Sequence, residues 1–112
     1  MAVPVIESSN TATGQTVTSI VITKPTGLAV DDLMVAKIAL YDWLDDNRTL
    51  STPAGWTLAA NSTTGTSTRL VRIADFYKVA DSGDTAASDF TFSASGAVGF
   101  MSGYLARISG YS

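Results

Sequence analysis

Asp81-Ser82-Gly83 carries the sharpest chemistry in this sequence. An Asp-Thr/Ser-Gly loop serves hydrolysis when two such carboxylates stand about 3 Å apart and share one proton, one activating water while the other acts as acid. With a single copy, the chain would work only as a homodimeric aspartic peptidase, with Asp81 supplied by each subunit. The plainer reading is preferred, because Asp81-Ser82-Gly83-Asp84 is ordinary turn chemistry between two expected strands. Asp42, Asp45, Asp46 and Asn47 gather oxygen ligands of the kind calcium needs, but their spacing does not fit an EF-hand loop and solvated loop charges explain them better. Trp43 and Leu44 lie in the same polar stretch. A large apolar pair there either folds back over the end of the domain or is held out for a partner, so Trp43, Leu44, Asp45 and Asp46 are the candidate partner contacts. No residue is assigned a catalytic, cofactor-binding or metal-binding role.

Composition narrows the chemistry further. The 112 residues include no Cys and no His. This removes disulfides, thiolate nucleophiles, thiolate-held metal clusters, imidazole bases and the Ser-His-Asp and Cys-His constellations. A net charge of -3, with seven basic residues scattered singly, supplies no positive stripe for phosphate backbones, so nucleic acid is not an expected partner. Residues 1–9 lack the basic start and long apolar core of a signal peptide. The longest apolar run, Leu33 to Tyr41, is broken by Lys37 and is too short to span a bilayer, so no membrane partner is expected. Only 15% of residues are charged, against roughly 25% in an ordinary soluble domain, while Ser and Thr supply 28 residues. The solvated surface is therefore expected to be hydroxyl rather than ionic, on a soluble chain without cofactors. With this many hydroxyls, the sequons at Asn47 and Asn61 carry no weight.

Short runs rich in Val, Ile, Thr, Phe and Tyr alternate with turn clusters, and no segment holds a 3.6-residue apolar period. Strands are expected over residues 16–23, 33–41, 56–60, 68–79, 89–93 and 97–109, within one domain over 1–112 whose residues 1–15 form an N-terminal arm. Lys24-Pro25-Thr26-Gly27 and Thr52-Pro53-Ala54-Gly55 read as type I turns with Gly fourth, making Pro25, Gly27, Pro53 and Gly55 structural turn residues and Trp56 a core plug. Asn61 to Ser67 reads as a hairpin loop. In the second strand Met34, Ala36, Ile38 and Leu40 oppose Leu33, Val35, Ala39 and Tyr41, so both faces are apolar. Such a strand belongs in a sheet covered on both sides, or presents one face to a partner chain. The expected fold is an all-β antiparallel sandwich, jelly-roll or Ig-like, of six to eight strands, self-contained or completed by oligomerisation.

The series Ile20-Val21-Ile22-Thr23-Lys24-Pro25-Thr26-Gly27, Asp31-Asp32-Leu33, Thr52-Pro53-Ala54-Gly55-Trp56-Thr57, Tyr77-Lys78-Val79-Ala80, Phe90-Thr91-Phe92 and Ser109-Gly110-Tyr111 runs through most of the chain. In order and spacing it resembles a family of bacteriophage virion proteins found as tail-fibre, head-fibre and capsid-decoration modules. The resemblance implies a non-enzymatic virion component, assembled in the host bacterial cytoplasm, whose partners are other capsid or tail proteins and copies of itself. Two departures stand out. Asp31-Asp32 replaces the family's Gly-Asp, a change that a type I turn tolerates, and residues 42–51 are more acidic. Family members also run on past the position of Tyr111, so this chain is a compact variant, is finished by a partner's strand, or is the N-terminal part of a longer polypeptide. The alternative within the binding class is a carbohydrate-binding adhesion module in which Trp43, Tyr41 and Tyr104 stack on a host surface glycan.

Overall fold

The computed structural model describes residues 5–42, 48–66 and 69–109. Five strands form one antiparallel sheet: β1 (Val5–Thr23), β2 (Leu33–Asp42), β3 (Thr57–Thr66), β4 (Arg69–Val79) and β5 (Asp89–Ser109), with a single-turn helix α1 (Ser82–Ala86) between β4 and β5. Their order across the sheet is β1-β5-β2-β4-β3. The all-β, antiparallel expectation therefore holds, with five strands among the described residues in place of six to eight. The segments expected at 89–93 and 97–109 are one continuous strand, and β3 runs on to Thr66 through residues expected to form a hairpin loop. From residue 5 onward the expected arm is paired with β5 as the outer strand. Among the described residues, no helix is long and apolar enough to cross a membrane.

The sheet doubles over on itself. In a straight strand, residues 10 and 23 would lie about 40 Å apart at roughly 3.3 Å per residue. Instead the Asn10 side-chain amide donates to the carbonyls of Thr23 and Lys24 at 2.9 and 3.1 Å, and the Ser8 hydroxyl donates to the Thr26 carbonyl. The corner lies at Thr16, whose φ of 52° is a left-handed conformation that a β-branched residue adopts only under constraint. On the partner strand the ladder passes from Val17↔Val98 to Ser19↔Ser93, so two steps along β1 face five along β5. A bulge of this size bends a ribbon sharply. The residues that absorb it, Ala94-Ser95-Gly96-Ala97, are all small. Residues 49–51 then line the turned-over ribbon through a Leu50↔Ala94 bridge and the bonds Ser51 N–H to Ser93 O and Ser95 N–H to Thr49 O.

Doubling over creates the core. Ile20, Ile22 and Phe92 from the turned-over ribbon meet Met34, Ala36, Ile38, Leu40, Phe76, Met101 and Leu105 from the inner face of the main sheet, all buried. Trp56 is the expected core plug, edge-on to Phe92 and Phe90 with ring centroids 5.3 and 6.1 Å away. At about 2 kcal/mol for each large apolar side chain, the three turned-over residues contribute about 6 kcal/mol. Because the net stability of a small domain is only about 5–15 kcal/mol, loss of even one of these contacts should be a sizeable part of it. Gly103 sets the closeness of the layers, because a Cβ there would stand 2.6, 2.8 and 2.9 Å from the Cδ1 atoms of Ile20, Ile22 and Ile38.

Three local expectations are corrected by backbone geometry. The hydrogen bonds Leu28 N–H to Pro25 O and Trp56 N–H to Pro53 O shift both Pro-containing turns one residue along, placing Gly27 (φ 81°) and Gly55 (φ 84°) third. A positive φ at that position is the mark of a type II turn, not type I. Asp81 to Asp84 is not a simple turn but the start of α1. The Asp81 side chain accepts from the Asp84 N–H while the Asp84 side chain accepts from the Asp81 N–H, a reciprocal capping box. The turn closed by the Asp32 N–H on the Ala29 carbonyl is likewise not the type I turn expected there, because Asp31 stands third with φ 74°, a conformation that Asp tolerates better than most residues.

Gly103→Ala should destabilise the protein by about 1–3 kcal/mol through overpacking. Adding Ile20→Val removes one of the crowding methyls. The double variant's urea midpoint should then lie above the sum of the single effects, whereas strict additivity would place the two residues out of contact.

Candidate interaction surface

The face of the main sheet turned away from the core is unusual for an antiparallel sheet, which ordinarily shows polar residues to solvent. Five rows cross β5, β2 and β4 there. The first two are Ile108, Leu33 and Val79, then Ala106, Val35 and Tyr77. The middle row is Tyr104, Lys37 and Asp75. The last two are Ser102, Ala39 and Ile73, then Phe100, Tyr41 and Val71. Ile73, Tyr77, Val79 and Tyr104 are between 36% and 45% exposed, more than a third of each large apolar side chain remaining in water.

The charges in these rows are confined to the middle one. Lys37 Nζ lies 3.6 Å from Asp75 Oδ1, close enough for attraction and beyond hydrogen-bond reach, and that oxygen is buried without a hydrogen-bond partner. Hydroxyls flank the apolar field on both sides. Ser9, Thr11 and Thr13 of β1 stand beside Ala106, Tyr104 and Ser102, and Thr57, Ser62 and Thr64 of β3 stand beside Tyr77, Ile73 and Val71. An apolar centre with a polar rim is the anatomy of a protein interface. The relief is uneven: a shallow depression of about 340 Å³ lies among Thr11, Thr13, Ala39, Ser102 and Tyr104, and another of about 220 Å³ among Lys37, Ala60, Ser62 and Asp75, with Ile73 bordering both.

The inner face is pinned at one end by charge. Lys78 of β4 and Arg107 of β5 flank Met34 in register. Arg107 Nε donates to Asp32 Oδ2 at 2.6 Å, and the Ala29 N–H donates to the same oxygen. Burial works to raise the Asp32 carboxyl, but these two hydrogen bonds and the guanidinium charge outweigh it and hold the group below its ordinary range. Lys78 Nζ lies 3.0 Å from Asp84 Oδ1 and 3.5 Å from Asp81 Oδ2. Burial opposes the Lys78 charge, yet both carboxylates keep its pKa above the usual lysine value. Asp81 is held low, first by the Asp84 N–H and then by the Lys78 charge. The turn glycines pack on these cations, Gly27 against the Arg107 guanidinium and Gly55 against the Lys78 ammonium. The cluster ties turns, helix and sheet together, and Asp81 serves in it as a helix cap.

Trp43, Leu44, Asp45 and Asp46, the partner contacts expected from sequence, lie outside the described residues, as does Asn47. Asp42 of the same acidic group is buried, and its Oδ2 accepts from the Arg48 N–H. Among the described residues no three Asp or Glu side chains converge as a metal site. Pro25 is fully buried and Trp56 lies in the core, while Pro25 and Pro53 stand first and Gly27 and Gly55 third in type II turns rather than in the type I positions expected of them. Of the aromatics considered for sugar stacking, Tyr41 is half-buried and within hydrogen-bond range of Arg69, while Tyr104 is exposed on the apolar face. Sequence reading registered that β2 is apolar on both sides but did not assemble the three-strand field, whose rows exist only through register. Comparison with protein-family models, curated proteins and solved structures finds no match.

Stability should fall at both ends of the pH scale. Asp32 and Asp81 titrate below their unfolded values, so their contribution is complete above about pH 4 and is lost as pH falls through their folded pKa values. Lys78 titrates above its unfolded value, so its contribution holds below about pH 10 and is lost as pH rises through the folded one. Asp32→Asn should cost about 1.5–3 kcal/mol at neutral pH and flatten the acid limb of a urea-midpoint profile. An unchanged limb would mean that the Arg107 contact contributes nothing.

Proposed function

We propose that this chain is a non-enzymatic structural module of a tailed-phage virion, a capsid-decoration, head-fibre or tail-fibre component that works by docking its apolar sheet face. The observation that carries the reading is the field on β5, β2 and β4, with large apolar side chains in water and hydroxyls around them. Docking such a field removes apolar area without stripping water from many charges, a desolvation cost that a charge-rich surface would incur. The sequence resemblance supplies the setting, and the position of Asp31 strengthens it, since a residue replacing the family's Gly holds a glycine-like φ. Within this reading the doubled sheet is a compact sandwich, with β1 and β5 contributing to both layers, and assembly takes place in the bacterial cytoplasm.

Particles purified on a density gradient from a strain carrying the gene should contain the polypeptide in fixed ratio to the major coat or tail protein. A variant with Tyr104→Glu on the apolar face should fold, judged by circular dichroism, and be lost from them. Expression without incorporation would overturn the reading. Glycan-array binding abolished by Trp43→Ala would replace it with the adhesion alternative.

A further inference from the structure

Taking the docking role as given, the geometry points to a specific occupant: a second copy of this chain, packed face to face about a twofold axis that lies in the interface between β2 and β4 and passes between Lys37 and Asp75, so that β2 covers β4 and β5 covers β3 of the other copy. Three observations support a stable interface here, and the first and third favour a copy over an unlike partner.

The first is charge. The five rows contain one cation and one anion, side by side on neighbouring strands, and so carry no net charge. A twofold axis running between the two strands exchanges their positions, so that Lys37 of each copy lies over Asp75 of the other. Lys37 is the group with reach to spare, its side chain 62% exposed, while Asp75 keeps 33% of its side chain exposed although its Oδ1 is buried. Two crossed ion pairs result from one arrangement, and each Asp75 gains a second cation where its own Lys37 stands beyond hydrogen-bond distance. An unlike partner would need the mirror charge pattern built for it; a copy possesses it already.

The second is area. Five rows about 6.8 Å apart on the four strands such an axis superposes, β5, β2, β4 and β3, each about 4.8 Å wide, cover about 650 Å², within the roughly 600–1,000 Å² that each partner buries in a standard stable interface. The third is relief. Ile73 and Tyr104 project beside depressions floored by Ala39 and Ser102 and by Ala60 and Ser62. The face thus offers knobs and hollows on one surface, as self-complementary packing requires.

Light scattering on the purified chain from micromolar to millimolar concentration should give twice the chain mass. Lys37→Glu alone and Asp75→Lys alone each set like charges across the axis, and each should weaken dimerisation about tenfold or more. Mixing the two variants should restore it. Between unlike chains the introduced carboxylate at position 37 meets the introduced ammonium at position 75, and the native Asp75 of one chain meets the native Lys37 of the other, while both chains keep their internal mismatch. Ile73→Lys, at an exposed position, should also give monomers and does not depend on the charge variants folding. A wild-type monomer at every concentration, a dimer untouched by Ile73→Lys, or a mixture of folded charge variants that fails to pair would each overturn the inference. A monomer that is still recovered on particles would defeat the twofold dimer and spare the virion reading. A dimer through this face that never reaches particles would do the reverse.

Discussion

The fold depends on the corner at Thr16 and Ala94 to Ala97. Without it β1 and β5 would be a flat ribbon some 20 residues long, and the main sheet would have two apolar faces and nothing to cover either. The bend brings Ile20, Ile22 and Phe92 onto one of those faces, and the approach is limited by the hydrogen in place of a side chain at Gly103. Because the covering layer comes from the same two strands as the outer half of the sheet, one bulge decides both register and packing. The remaining features serve to hold it. Asn10 ties the returning strand to its own beginning, residues 49–51 extend the covering ribbon, and Trp56 closes the core against Phe90 and Phe92.

A covering layer of two strands and a short third segment is sufficient for one face of the sheet. The opposite face keeps the apolar residues that β2, β4 and β5 carry there, and in a chain of low charge they are framed by Ser and Thr rather than by Lys and Glu. The charged cluster of Asp32, Arg107, Lys78, Asp81 and Asp84 sits on the inner side, where it locks turns to strands. Charge in this molecule therefore serves largely for internal fastening, and among the described residues the outer sheet face carries the Lys37–Asp75 pair and, at its edge, Arg69 beside Tyr41.

The sequence was legible where burial imposes alternation. Met34, Ala36, Ile38 and Leu40 mark β2, and Leu70, Ala74 and Phe76 mark β4, with bounds within a residue of those expected. It was opaque where burial is absent. Residues 5–15 and 61–65 belong to edge strands and are exposed for most of their length, so their Ser, Thr and Gly read as arm and loop. The joining of 89–93 to 97–109 was hidden for another reason: the small residues between them look like a turn, and only the pairing with β1 shows them to be a bulge. No local signal could place Ile20 on Gly103 or Lys37 beside Asp75, since both contacts arise from register set far away in the chain. Asp81 lies in a chain reversal, as its turn chemistry suggests, but the reversal is a capped helix rather than an ordinary turn.

Methyl NOE spectroscopy tests the doubled sheet most directly. The account predicts strong cross-peaks from the Ile20 and Ile22 δ1-methyls to the Gly103 α-protons and to the Ile38 δ1-methyl. A spectrum with the β1–β5 ladder intact but without those cross-peaks would describe a straight ribbon, and would contradict the account.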